Sequence, residues 1–285
     1  MTRSNPQPIA EQIELSHPVL SANEGNAGAL QETAGASYDS RHPRQGAFAW
    51  LSSYFSTDPA PAPAPTRSTI RSSISPGIAP TLPGHLEGVR CPDVARYTEW
   101  VRGWLWSRDL RKDLVLVGYT LGACIALQYG LDYPDEVKGL VLMTVAARPK
   151  TRPPGTYEVR LRAAEDVKAY DDWLQYQRHA MKLVEPGLRE RLIERHRQVG
   201  PLSQYHDLKA IDAFDVRDRL ATLRPKLLLL RGLDDPTNPP EYEKEVHDAV
   251  PGSRYVKLSG AGHFPPTEIP DKVNALIEEF VAGID

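Results

Sequence analysis

The stretch DLVLVGYTLGACIALQYG, Asp113 to Gly130, constrains the fold more than any other part of the chain. Leu114–Val117 is an unbroken apolar run, as expected of a parallel strand covered on both faces. Gly118-Tyr119-Thr120-Leu121-Gly122 follows at once, and an apolar helical segment follows that. Glycines two positions either side of Thr120 let the backbone reverse without Cβ clashes. The spacing therefore predicts a strand, a tight turn with the Thr120 hydroxyl at its tip, and a helix.

The same alternation continues downstream. Tyr97–Trp106 carries an apolar helical stripe, Gly139–Thr144 and Leu227–Leu230 read as strands, and Glu241–Ala249 reads as a helix. Arg254–Leu258 is a further strand and Asp271–Val281 a closing helix. Between them, residues 157–210 are charged and helical in period, which predicts two or three inserted helices. Strands alternating with helices imply an α/β class with an open, mostly parallel sheet.

Residues 1–77 differ in character. The first 80 residues contain no lysine and include the run DPAPAPAPT, which favours an extended linker and cannot pair as a central strand. Ile13–Leu15 could form a short strand, and the aromatic spacing of Phe48–Phe55 predicts one short amphipathic helix. The expected organisation is an atypical, partly disordered or linker-like region over 1–77, an α/β core over 78–149 and 211–285, and a helical cap over 150–210.

A formal charge of −3 offers no attraction to nucleic acid or an anionic membrane. No apolar run approaches a membrane span, and MTRSNPQPIAEQIEL lacks the apolar centre of a secretory signal. Cys91 and Cys124 are too few for a disulfide framework, and no Cys/His cluster suggests a metal. The expectation is a cytoplasmic monomer or homodimer without metal or organic cofactor.

Three polar features follow three of the strands, where open parallel sheets place their active groups. They are Thr120 in GYTLG, Asp235 in RGLDDP and His263 in GAGHFPP. A hydroxyl, a carboxylate and an imidazole in that order can supply nucleophile, orienting acid and base. Asp234 is the alternative acid, although it could equally cap the turn.

With LPGH at Leu82–His85, these motifs resemble the α/β-hydrolase superfamily over residues 78–285, in particular its small capped esterases, enol-lactonases and carbon–carbon bond hydrolases. The resemblance implies an α/β-hydrolase fold with incomplete N-terminal strands. It implies hydrolysis of a small carboxylic ester, lactone or similar acyl substrate by a Thr120–Asp235–His263 triad, with the Leu121 N–H as an oxyanion-hole donor. His85, Tyr119, Trp173 and Tyr176 could line the substrate pocket, although aromatics at helical spacing also serve as core packing.

The chain departs from that pattern at four places: Tyr119 before the elbow tip and Ala123 after Gly122 are mild changes, and two others matter more. Threonine replaces the usual serine at the elbow, and residues 1–75 contain no apolar strand ending in His-Gly to supply the second oxyanion donor. A non-catalytic or decayed relative and a cofactor-free lyase or isomerase on the same fold therefore stay open as alternatives.

Overall fold

The structure, a computed structural model, describes residues 48–51 and 77–284. Five parallel strands stand in one sheet in chain order: β1 (Phe48–Leu51), β2 (Leu114–Tyr119), β3 (Val137–Met143), β4 (Lys226–Gly232) and β5 (Arg254–Leu258). Helices α1 (Val94–Trp106), α2 (Leu121–Asp132), α7 (Pro240–Ala249), α8 (Pro265–Glu268) and α9 (Pro270–Ala282) connect or follow them. The connection from β3 to β4 is longer and holds α3 (Thr156–Ala163), α4 (Val167–Ala180), α5 (Pro186–Val199) and α6 (Pro201–Ala213).

The unbroken apolar strands follow from burial on both faces. Leu114, Leu116, Leu140, Leu142, Leu227 and Leu229 point into one core with residues of α1, α2 and α7. Their neighbours Val115, Val117, Val141, Met143, Leu228 and Leu230 point into a second core with Val273 and Ile277 of α9. Successive strand residues alternate between faces, so both halves of each run must be apolar.

Helix boundaries follow local chemistry. The Asp93 carboxylate accepts from Arg96 N–H (2.8 Å) at the start of α1, and Asp166 accepts from Ala169 N–H (2.7 Å) at the start of α4. Pro186 and Pro201 open α5 and α6, where the missing N–H costs nothing. These starts divide the insertion into four helices rather than two or three. No helix among the described residues is long and apolar enough to cross a membrane.

The structure corrects the reading of Phe48–Phe55 as a helix. Phe48–Leu51 is a strand paired with β2 from Phe48↔Val115 to Leu51↔Gly118, and Ala49 bridges Ile78 on its other side. Ala49 and Leu51 are fully buried. Four residues are too few for periodicity to separate strand from helix, and the parallel ladder decides it. The place beside the elbow strand, which the sequence suggested was missing, is thus filled. Residues 52–76, the Pro-Ala run and Ile13–Leu15 lie outside the described residues.

Candidate active site

Every residue of the candidate triad stands at the C-terminal edge of the sheet. Thr120 joins β2 to α2 with φ 50° and ψ −113°. Positive φ is a strained region for a β-branched residue, and such strain persists only where surrounding structure enforces it. Here Thr120 N–H donates to the Met143 carbonyl and to the Thr144 hydroxyl, both at 3.1 Å. Gly118 is required by the same turn, because a Cβ there would lie 2.5 Å from Ala123 Cα. The helix α2 therefore starts against the strand it follows, with the Leu121 N–H in its first turn. Such N–H groups lack intrahelical acceptors, and the helix dipole adds partial positive charge there.

Asp235 and His263 meet across two loops. Leu233 N–H donates to Leu258 O (3.0 Å) and Asp234 N–H to Ala261 O (2.9 Å), which ties the acid loop to the histidine loop. Gly232 permits this approach, since a Cβ would collide with the carbonyl oxygens of Ala261 and Gly262. The Gly262 N–H donates to Glu268 Oε2 at 2.6 Å and fixes the other side of the histidine loop. His263 Nδ1 lies 2.8 Å from Asp235 Oδ2 and 2.7 Å from Thr237 Oγ1. An ionised carboxylate only accepts, so Nδ1 carries the proton and Nε2 is left as the acceptor. Edge-on packing against Tyr119 and Phe264 further restrains the imidazole.

The Asp235 side chain is 1% exposed. Burial alone would raise its pKa, but the hydrogen bond and charge of His263, with the N–H and hydroxyl of Thr237, reverse the effect and hold it at about 2. An unfolded aspartate titrates near 3.9. The folded value lies lower, so this carboxylate adds stability above about pH 4 that is lost as pH falls through about 2. In acid-unfolding measurements, Asp235→Asn is expected to lower stability above pH 4 by on the order of 2 kcal/mol, with the gap to wild type shrinking towards pH 2. A gap that stays constant with pH would contradict this assignment.

Thr120, Leu121, Tyr119, His263, Trp173 and Tyr176 all line one cavity of about 730 Å³ between the strand ends and the inserted helices. Among the described residues, no hydrogen bond joins Thr120 Oγ1 to His263. Trp173 is also a packing residue, fully buried with its indole N–H donating to Gln204 Oε1 at 2.8 Å. Tyr176 is more than half exposed. His85 is placed elsewhere. It is buried outside the cavity lining, with Nδ1 3.1 Å from Leu82 O and Nε2 2.9 Å from Asp207 Oδ2. Burial lowers its pKa, yet the Asp207 hydrogen bond and charge outweigh that and leave it raised. A polar residue in a loop after a strand can satisfy its partners behind a pocket wall, and His85 does so.

Sequence reasoning missed Thr237, Thr144, Asn238 and Lys150. Thr237 had a local signal, because Asp followed two residues later by Thr often closes a side-chain turn. Its N–H and hydroxyl both donate to Asp235 Oδ1 at 2.8 Å. The others had none: Thr144 stands 24 residues from Thr120, and Asn238 stands 88 residues from Lys150.

A model of the alpha/beta hydrolase family matches residues 35–276. A proline iminopeptidase from Lactobacillus delbrueckii subsp. bulgaricus is 27% identical over 197 residues, covering 60% of this chain and 65% of that protein's length. The chain thus spans just under two thirds of that relative. A pimeloyl-[acyl-carrier protein] methyl ester esterase from Neisseria meningitidis serogroup B is 26% identical over 217 residues, or 71% of this chain and 81% of the esterase. The crystal structure of the enol-lactonase from Burkholderia xenovorans LB400 superposes with a TM-score of 0.70 at 18% identity, covering 85% of this chain and 93% of that one. At that identity the enol-lactonase speaks for the fold alone, whereas the family model spans the strand ends that carry Thr120 and Asp235 as well as His263. The chain belongs to the alpha/beta hydrolase family.

Proposed function

We propose that the protein hydrolyses small carboxylic esters or lactones through Thr120, His263 and Asp235, with α3 to α6 as a cap over the bound acyl group. The observation that carries this reading is the Asp235–His263 pair, its carboxylate buried and its imidazole partly exposed, which opens onto the same cavity as a hydroxyl held at positive φ on a strand–helix turn. Strain at such a turn has a purpose where it aims a reacting group.

His263 Nε2 accepts the Thr120 hydroxyl proton as Oγ1 bonds to the substrate carbonyl carbon. The carbonyl oxygen takes up negative charge, which the Leu121 N–H and the positive end of α2 stabilise. The His263 proton then passes to the leaving alkoxide, and an acyl-threonine ester remains. Water attacks that ester while His263 takes its proton, and the proton returns to Thr120 Oγ1 as the acid departs. Asp235 stays ionised throughout and keeps the imidazole in the required tautomer. Catalytic hydrogen bonds often form only with substrate bound, so a Thr120–His263 bond is required of the substrate complex and not of the free protein.

A fluorophosphonate probe tests the nucleophile directly. The expected result is one covalent adduct, located on Thr120 by mass spectrometry and lost in His263→Ala. Intact protein that stays unlabelled while turning over no short p-nitrophenyl ester would overturn the proposal.

A further inference from the structure

Lys150 lines the cavity, and its own partners leave most of its charge unanswered. It follows β3 by seven residues, on the loop that leads to α3. Its ammonium donates to Asn238 Oδ1 at 2.6 Å and stands 4.8 Å from the centre of the Tyr242 ring. An ammonium has three donors. One reaches a neutral amide, one side faces a ring, and no carboxylate among the described residues forms an ion pair with it.

Several other charged residues lining the cavity are matched by a group of opposite charge. Arg152 is bidentate on Asp212, at 3.0 and 2.8 Å from its Nε and 2.7 Å from a terminal nitrogen. Asp172 pairs with Lys168, and Asp207 meets His85. Behind Asn238 stands Glu243, which accepts from Asn238 Nδ2 at 2.7 Å. Its charge is already answered by Arg231 at 2.9 Å. Burial pushes Glu243 up to about 7, opposed by the charge of Arg231, the Asn238 hydrogen bond and the charge of Lys150, so its charge is shared between two cations.

Burial also holds the Lys150 ammonium below the usual lysine range. A part-buried cation with one neutral partner is costly, and an incoming anion recovers part of that cost. The charge lies near the elbow as well. Burial raises the Cys124 thiol to about 11, and Lys150 is the largest influence opposing that rise. Cys124 is one helical turn beyond Thr120, and Thr120 and Lys150 line the same cavity.

We propose that Lys150 binds a free carboxylate on the substrate, so that the preferred esters or lactones derive from acids carrying a second anionic group. A chain of a few carbons, with its carbonyl at Thr120 and its carboxylate at Lys150, suits a cavity of about 730 Å³ that holds both residues. This specificity rests on the acyl-hydrolase reading of the same cavity, but the binding of a carboxylate can be measured without turnover.

Calorimetry on the full chain with glutarate and with the neutral glutaramide tests binding. Glutarate is expected to bind at least tenfold more tightly, with the advantage shrinking in 0.5 M salt and falling at least tenfold in Lys150→Met. For turnover, the ratio of kcat/KM for mono-4-nitrophenyl glutarate to that for 4-nitrophenyl pentanoate should exceed ten in wild type. In Lys150→Met and Lys150→Gln it should drop at least tenfold, mainly through KM. Equal binding of glutarate and glutaramide by wild type would overturn the proposal, and this needs no variant to fold. An unchanged ester ratio in folded Lys150→Met would overturn it as well. Glutarate binding that depends on Lys150 without turnover of either ester would uphold the carboxylate site and refute the hydrolase reading instead.

Discussion

Replacing His263 with alanine is expected to lower kcat for short p-nitrophenyl esters by about 10²–10⁴-fold, the usual contribution of a positioned general base. The imidazole joins the buried Asp235 carboxylate to the cavity through a 2.8 Å contact at Nδ1. Its removal leaves the Thr120 hydroxyl without a proton acceptor at neutral pH. Asp235→Asn should be nearly as damaging by a different route, because an amide can donate to Nδ1 and favour the wrong tautomer. Steady-state kinetics on purified variants, with circular dichroism to show that they fold, make the comparison. Equal turnover in wild type and His263→Ala would remove the histidine from the mechanism.

Thr120 supports a second large effect, in which stability and activity move separately. A β-branched residue at φ 50° carries strain on the order of 1–3 kcal/mol, and glycine at the same position relieves it. Thr120→Gly is therefore expected to raise the denaturation midpoint in urea while reducing esterase activity to background. Thr120→Ser keeps the hydroxyl and removes the methyl that restricts χ1. A reacting atom misplaced by about 1 Å can cost roughly a hundredfold in rate, so the serine variant should turn over about ten to a hundred times faster than wild type. No gain in Thr120→Ser would show that the methyl does not limit the reaction and would shift attention to the oxyanion side. A Thr120→Gly protein less stable than wild type would show that the elbow is not strained.

Much of this architecture was legible in the chain because its cause is local. Strands β2 to β4 are continuous apolar runs, and such runs occur where helices cover both faces of a sheet. The elbow was legible because Gly118 is demanded by a close approach only four residues away along the chain. The acid and histidine loops were legible as post-strand segments in a fixed order. β1 was misread because Phe48–Leu51 is short and its identity comes from Val115–Gly118, more than sixty residues later in the chain. The expected two or three inserted helices became four, and Glu185-Pro186 and Gly200-Pro201 mark the breaks that periodicity alone blurred.

His85 shows the opposite limit. Its position after LPG suggested a pocket role, and only the fold reveals Asp207, 122 residues away, as the partner that keeps it behind the wall. Lys150 was silent in the sequence for the same reason, since a lysine in a Pro-rich loop reads as solvated surface until Asn238 and Tyr242 close around it. The sequence by itself determined the alternation of core strands and helices from α1 onward, the sharp turn at Thr120 and the candidacy of Asp235 and His263, because each depends on residues within a few positions. Only the tertiary structure decided that FAWL joins the sheet beside β2, that Thr237 shares the Asp235–His263 pair, and that an ammonium faces the cavity. Those outcomes depend on burial and on partners brought together across long separations, and no local pattern records either.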